Sequence, residues 1–262
     1  FTGLIRSVDE LDPIVAVAGL VVLPAIRVAA ALTQELGLEL QDEHDAFAER
    51  HQTSFGVVPG EQVLALPASV ADQHGKVDGL VNIAGIIQPF VDIIDLDFDV
   101  IERVINVNFW GTVNMVKAFL PILVTRPESS IVNVASMGAL VPVPGQSAYG
   151  ASKAAVSLLT EGLYAELRGS NISITEVFPG AVNTGITENS GVERPGDVNE
   201  GLAEKLATSP EDAAIKIATA IEKEKLRVRI GKDAVLFDLL GRVMPQTGIK
   251  LVAKALGSFL SD

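Results

Sequence analysis

Residues 130–153 read Ser130-Ile131-Val132-Asn133-Val134-Ala135-Ser136-Met137-Gly138-Ala139-Leu140-Val141-Pro142-Val143-Pro144-Gly145-Gln146-Ser147-Ala148-Tyr149-Gly150-Ala151-Ser152-Lys153. The first six residues are an apolar run of strand length. A loop punctuated by Gly138, Pro142, Pro144 and Gly145 follows, and at Ala148 a helical apolar spacing begins that lasts to Leu167. A strand that feeds a helix through one loop is the repeating unit of an alternating α/β chain. Apolar runs of strand length recur at Ile14–Val17, Gln62–Leu66, Gly79–Ile83, Ile172–Phe178 and Arg227–Ile230. They are rich in Val, Ile and Leu, as strands buried on both faces are. The rhythm predicts a Rossmann-like, doubly wound parallel sheet in three α/β/α layers. The whole chain, 1–262, reads as one domain.

Four further segments surround that unit. Asp99–Leu123 keeps Val100, Val104, Val107, Val113, Val116, Phe119 and Leu120 at helical spacing. Ser209-Pro210-Glu211-Asp212 opens a helix to about Lys223, with a capping hydroxyl, a proline at the first helical position and acids in the first turn. Between them, 184–209 is polar and glycine-rich, and it reads as a substrate loop or as a plain surface connection. The segment 234–260 alternates apolar and basic residues and reads as a helix docked on the domain.

Composition narrows the classes. With 48% hydrophobic and 20% charged residues the chain can bury a core. A formal charge of −13 disfavours nucleic acid and anionic membrane as partners. Pro24 and Arg27 interrupt the most apolar stretch, Ile14–Leu32, below the length of a spanning helix, and the acids before it argue against an export signal. Having no cysteine, the chain has neither disulfide nor thiolate chemistry, which fits the cytoplasm. His44, His51 and His74 lack partners at metal-ligand spacing and read as surface residues, so no metal site is expected.

The chemistry concentrates where the strand meets the helix. Ser136 falls at the carboxyl end of a predicted strand, where open parallel sheets bind ligands. Tyr149 and Lys153 are four residues apart, so their side chains share one helical face. Tyr164 and Arg168 share that spacing without a serine partner and are assigned to packing and solvent. A free phenol titrates near 10, and a neighbouring ammonium favours the phenolate. Tyr149 beside Lys153 would then serve as an acid/base, and Ser136 would hydrogen-bond a substrate oxygen.

Several motifs in order resemble the short-chain dehydrogenase/reductase family. Asn82-Ile83-Ala84-Gly85 is similar to its Asn-Asn-Ala-Gly turn, with Ile in place of the second Asn. Asn106-Val107-Asn108-Phe109-Trp110-Gly111 resembles the helix that carries its asparagine, and the match falls on Asn108. Asn133–Gly138 resembles the catalytic-serine strand end, Tyr149–Lys153 the Tyr/Lys helix, and Pro179-Gly180-Ala181-Val182-Asn183-Thr184 the Pro-Gly turn after the sixth strand. The resemblance, covering about Val77 to Ile230, implies an oxidoreductase that moves a hydride between NAD or NADP and a secondary alcohol or ketone. Ser136, Tyr149, Lys153 and Asn108 would be catalytic, Asn108 through a water-linked relay to Lys153. The cofactor would meet Asn82, Ala84, Gly85, Tyr149, Lys153, Pro179, Gly180, Val182 and Thr184. A homodimer or homotetramer is implied as well.

The first 76 residues depart from the family. Its Thr-Gly, three residues, Gly, one residue, Gly turn has no counterpart: Thr2-Gly3 is followed by Ser7 and Asp9, and Ile14–Gly19 by Leu23, Pro24 and Ala25. Ser69, placed near the family's adenine-contacting Asp, stands too close to Asn82 for the usual helix and strand. Three explanations stand: a divergent or absent cofactor site, a rearranged chain, or a misassigned stretch. The competing function is a non-catalytic scaffold that no longer holds the dinucleotide.

Overall fold

The computed structural model describes residues 15–17, 60–192 and 207–256. Five strands run β1 (Val15–Val17), β2 (Gly79–Asn82), β3 (Ser129–Val134), β4 (Ile172–Pro179) and β5 (Arg227–Ile230). They form one parallel sheet in the order β1-β2-β3-β4-β5. Val81 pairs with Val132 and Val132 with Thr175, so the strand ends lie level along one edge of the sheet.

Neighbouring residues on a strand face opposite ways, and the core divides accordingly. Leu80, Ile131, Ile172 and Ile174 pack with helices α1 (Gly60–His74), α3 (Gly111–Leu123) and α4 (Ser147–Glu166) through Val63, Phe119 and Leu163. Val81, Val132, Val177 and Ile230 pack on the other face against Ala213, Ile217 and Ile221 of α6 (Pro210–Glu222). Helices on both faces of a parallel sheet are the three-layer arrangement expected from the sequence. The α6 start is also as expected: Ser209 Oγ accepts from Asp212 N–H at 3.0 Å.

Several readings change. Gln62–Leu66, expected as a strand, lies inside α1. Val63, Leu66, Val70 and Ala71 face the core at helical spacing while Leu64 is exposed, so the short apolar run was part of a longer helical period. Ser69 therefore lies exposed on α1 and not in a cofactor loop, and the helix and strand that seemed to lack room are α1 and β2. The expected C-terminal helix is two, α7 (Lys232–Val243) and α8 (Pro245–Leu256), divided at Met244-Pro245. The 184–209 loop opens with a short helix, α5 (Ile186–Ser190). Residues 193–206 and 257–260 of these segments, and the stretches around Thr2-Gly3 and Leu23–Ala25 that lack the family's glycine turn, lie outside the described residues.

The long helix expected over Asp99–Leu123 is interrupted. α2 (Phe98–Ile105) passes through one wide π turn, Asn106–Trp110, into α3. Such turns add a residue to the helix and cluster at functional sites. This one holds Asn108, which is fully buried.

β5 and α7 are joined by charge. The Asp238 carboxylate, 3% exposed, accepts hydrogen bonds from Arg229, Arg242 and Arg227 at 2.7, 2.8 and 3.2 Å. Arg227 also pairs with Glu161 of α4 and with the buried Glu176 of β4, and stacks over Phe178.

Candidate active site

The carboxyl ends of β2, β3 and β4 bring the candidate residues to one edge of the sheet. Ser136 follows β3 in extended backbone, with φ −168°. Its Oγ accepts from the N–H of Gly138 at 3.1 Å, which leaves its own proton free to be donated. A short 3-10 turn, Met137–Ala139, carries the chain away, and α4 brings Tyr149 back. A Cβ on Gly138 would stand 3.5 Å from Ser136 Oγ and 3.6 Å from the Tyr149 ring, so the absent side chain leaves room for the two to meet. They do, closely enough for the Ser136 hydroxyl to act on the ionisation of the phenol.

Burial pushes the Tyr149 phenol above its ordinary 10.0, and the Ser136 hydroxyl, by stabilising the phenolate, pulls it partly back. The net shift is opposite in sign to the one expected from Lys153. Lys153 is itself buried, 4% exposed, and burial lowers its ammonium from 10.5 to about 8. Nζ donates to the carbonyl of Val134 at the end of β3, at 2.9 Å. A Cβ on Gly85 would lie 2.9 Å from that Nζ and 3.3 Å from Asn108 Oδ1. The glycine of the Asn82–Gly85 turn thus makes room for the lysine.

Asn108 ties three elements together. Its Nδ2 donates to the carbonyl of Ile86 (2.9 Å) and to Ser152 Oγ (2.8 Å), and its Oδ1 accepts from Ile86 N–H (2.8 Å). Ser152 Oγ donates to the Tyr149 carbonyl at 2.7 Å. Asn82 is held by Nδ2 donation to Asn133 Oδ1 at 2.8 Å, while its own Oδ1 is buried without a partner among the described residues. Ala84 and Gly85 are half-buried beside it.

At the end of β4, Pro179 and Gly180 lead into a turn whose Ala181 N–H donates to Asp233 Oδ2 at 2.6 Å. Val182 bridges to Thr208, and Thr184 N–H donates to the Val182 carbonyl at 2.8 Å. The sequence reading missed Asp233, Ser152 and Gln88. Ser152 sits within the quoted Tyr149–Lys153 stretch and could have been found there. Tyr164 is 43% exposed on the outside of α4, as packing and solvent contact require.

A parallel sheet whose β3 ends at a serine, with a tyrosine and a lysine on the helix that follows, is an arrangement of the dinucleotide-binding α/β class. The family model for short chain dehydrogenase matches residues 8–194, and so extends across most of the first 76 residues, which lack its glycine turn. The Mycobacterium tuberculosis protein SadH is 36% identical over 235 residues, covering 87% of this chain and 81% of that one. A Burkholderia phymatum short chain dehydrogenase/reductase in complex with NAD superimposes with a TM-score of 0.62, at 27% identity over 74% of this chain and 73% of that one. A Burkholderia cenocepacia short chain dehydrogenase in complex with NADP gives 0.60, at 25% identity over 75% and 76%. The chain belongs to the short-chain dehydrogenase/reductase family.

Proposed function

We propose that this chain transfers a hydride between NAD or NADP and the carbon of a secondary alcohol or ketone. The observation that carries the reading is the approach of Ser136 and Tyr149 across Gly138 at the end of β3, with the Lys153 ammonium buried on the Val134 carbonyl of the same strand. The nicotinamide complexes of the two similar structures support it.

The described residues fit the cofactor's nicotinamide half. Asn82 ends β2 with a buried Oδ1 that has no partner among the described residues, and Gly85 presents backbone where a side chain would collide with Lys153. Lys153 would hold a ribose hydroxyl, and the backbone from Pro179 to Thr184 would line the nicotinamide. When bound, the cofactor supplies or takes up the hydride. In the reducing direction Tyr149 gives its proton to the carbonyl oxygen, whose growing charge Ser136 stabilises by donating a hydrogen bond. In the oxidising direction Tyr149 as phenolate removes the hydroxyl proton as the carbon gives up its hydride. Asn108 holds Ile86 and Ser152 in place around them. A homodimer or homotetramer is the assembly we infer from family membership.

Replacement of Tyr149 by Phe keeps the ring and removes the proton carrier. Turnover of a panel of secondary alcohols and ketones should fall by about a thousandfold or more, with NADH or NADPH still raising nicotinamide fluorescence on titration. Undiminished turnover would overturn the assignment. The scaffold reading is favoured by the missing glycine turn, and it predicts no saturable signal with either nucleotide.

A further inference from the structure

Three successive residues after β2 each bond a different part of the site. Ile86 pairs through both backbone groups with Asn108. Ile87 N–H donates to Ser190 Oγ of α5 at 3.0 Å. Gln88, 0% exposed, reaches the helix that carries the tyrosine. Its Oε1 accepts from the backbone N–H of Ala148 at 2.7 Å and of Tyr149 at 3.0 Å. Its Nε2 donates to the Gly145 carbonyl at 2.8 Å, and its own carbonyl accepts from Gln146 Nε2 at 2.9 Å.

The first N–H groups of a helix have no acceptor inside it. They are commonly served by a side chain at the capping position, but the residue there, Gln146, makes no such bond. The acceptor comes instead from 60 and 61 positions away. Tyr149 is the third residue of α4, so the turn that Gln88 holds is the turn that aims the phenol. Lys153 stands one turn deeper and is held separately by the Val134 carbonyl.

We propose that Gln88 is a positioning residue for Tyr149: it caps α4 from the segment after β2 and so keeps the phenol beside Ser136. Without it, two N–H groups at buried or half-buried residues lose their acceptor, and the first turn of α4 must fray or tilt to find water. The inference rests on Tyr149 being the acid/base only for its consequence in catalysis, because the cap itself can be read in the protein alone.

The chain has two tyrosines, so in a Tyr164→Phe background Tyr149 is the only source of tyrosinate absorbance. Its ionisation can be followed in stopped-flow pH jumps of the whole protein, before the fold responds to alkali. Gln88→Met fills the space without an acceptor. It should let water reach the phenol and bring its midpoint down toward 10.0, with faster amide exchange at Ala148 and Tyr149. Gln88→Glu keeps the acceptor at the helix N-terminus, and its midpoint should stay at or above the parent's. In steady state, Gln88→Met should lower kcat about 10- to 100-fold with the nucleotide KM changed less than about twofold.

A folded Gln88→Met protein with the parent's midpoint overturns the proposal, as does a Gln88→Glu protein that falls with it. A shifted midpoint in a protein that turns over no alcohol or ketone keeps the cap and sinks the oxidoreductase reading. An unshifted midpoint with intact turnover does the reverse.

Discussion

Lys153 Nζ occupies the space beside Gly85 so closely that a Cβ on the glycine would stand 2.9 Å from it. The ammonium has little room to retreat, because it is buried and bonded to the Val134 carbonyl. Gly85→Ala should therefore push Lys153 off that carbonyl and crowd Asn108 Oδ1 as well. We expect kcat/KM to fall about 10- to 100-fold with the fold retained, measured by steady-state rates and circular dichroism.

The titration of Lys153 should be visible in the free enzyme. Its ammonium is lowered to about 8 by burial, while the Tyr149 phenol is raised and stays protonated through that range. A reaction that needs the cation then loses kcat/KM as pH rises through about 8. Lys153→Arg keeps its charge to far higher pH, so its residual rate should lose that alkaline limb. A limb unmoved by the substitution would assign it to another group.

Gly180 and Asp233 are matched in the same steric way. A methyl group on Gly180 would overlap the Asp233 carboxylate, and so would one on Gly231, whose φ is +101°. Gly180→Ala alone should cost more than about 1 kcal/mol and weaken nucleotide binding, since it expels the acceptor of Ala181 N–H. In an Asp233→Ala background the same substitution should cost little further. Denaturant midpoints of the two single variants and the double variant measure the coupling.

Glu176 should make stability fall with pH. Burial raises its carboxyl from 4.5 to about 7, against the pull of Ser157 and Arg227. Between those values the folded chain holds a proton that the unfolded chain has lost, so folding weakens as pH rises through the window. The full effect is of order 3 kcal/mol at most. Glu176→Gln should remove it, gaining more relative to the parent at about pH 8 than at about pH 5 in urea titrations.

What the sequence made legible was local or periodic. Ser136 at a strand end and the four-residue step from Tyr149 to Lys153 are read from neighbours alone, and the structure sets Ser136 and Tyr149 on either side of Gly138 with Lys153 on the Val134 carbonyl. The run Gln62–Leu66 was misread because five apolar-rich residues fit either period, and only Val70 and Ala71 beyond it reveal a helix. Gln88 and Asp233 carried no local mark. Their partners lie 57 to 61 and 52 positions away, a distance only the folded sheet closes. The sign of the Tyr149 shift was hidden likewise, because burial depends on everything packed around the ring.

The wide turn at Asn106–Trp110 is, in the end, one residue too many. Each residue of an α-helix advances the chain by about 100° around its axis. Removing one residue from that turn would merge α2 and α3 into a single regular rod, but could not keep both of their core-facing stripes in register. Either Val104 or Phe119 would swing out of its buried position, and Asn108 would lose its hold on Ile86 and Ser152. The better helix would belong to a poorer protein, so length here tolerates no trimming even though no atom of the extra residue need touch a substrate.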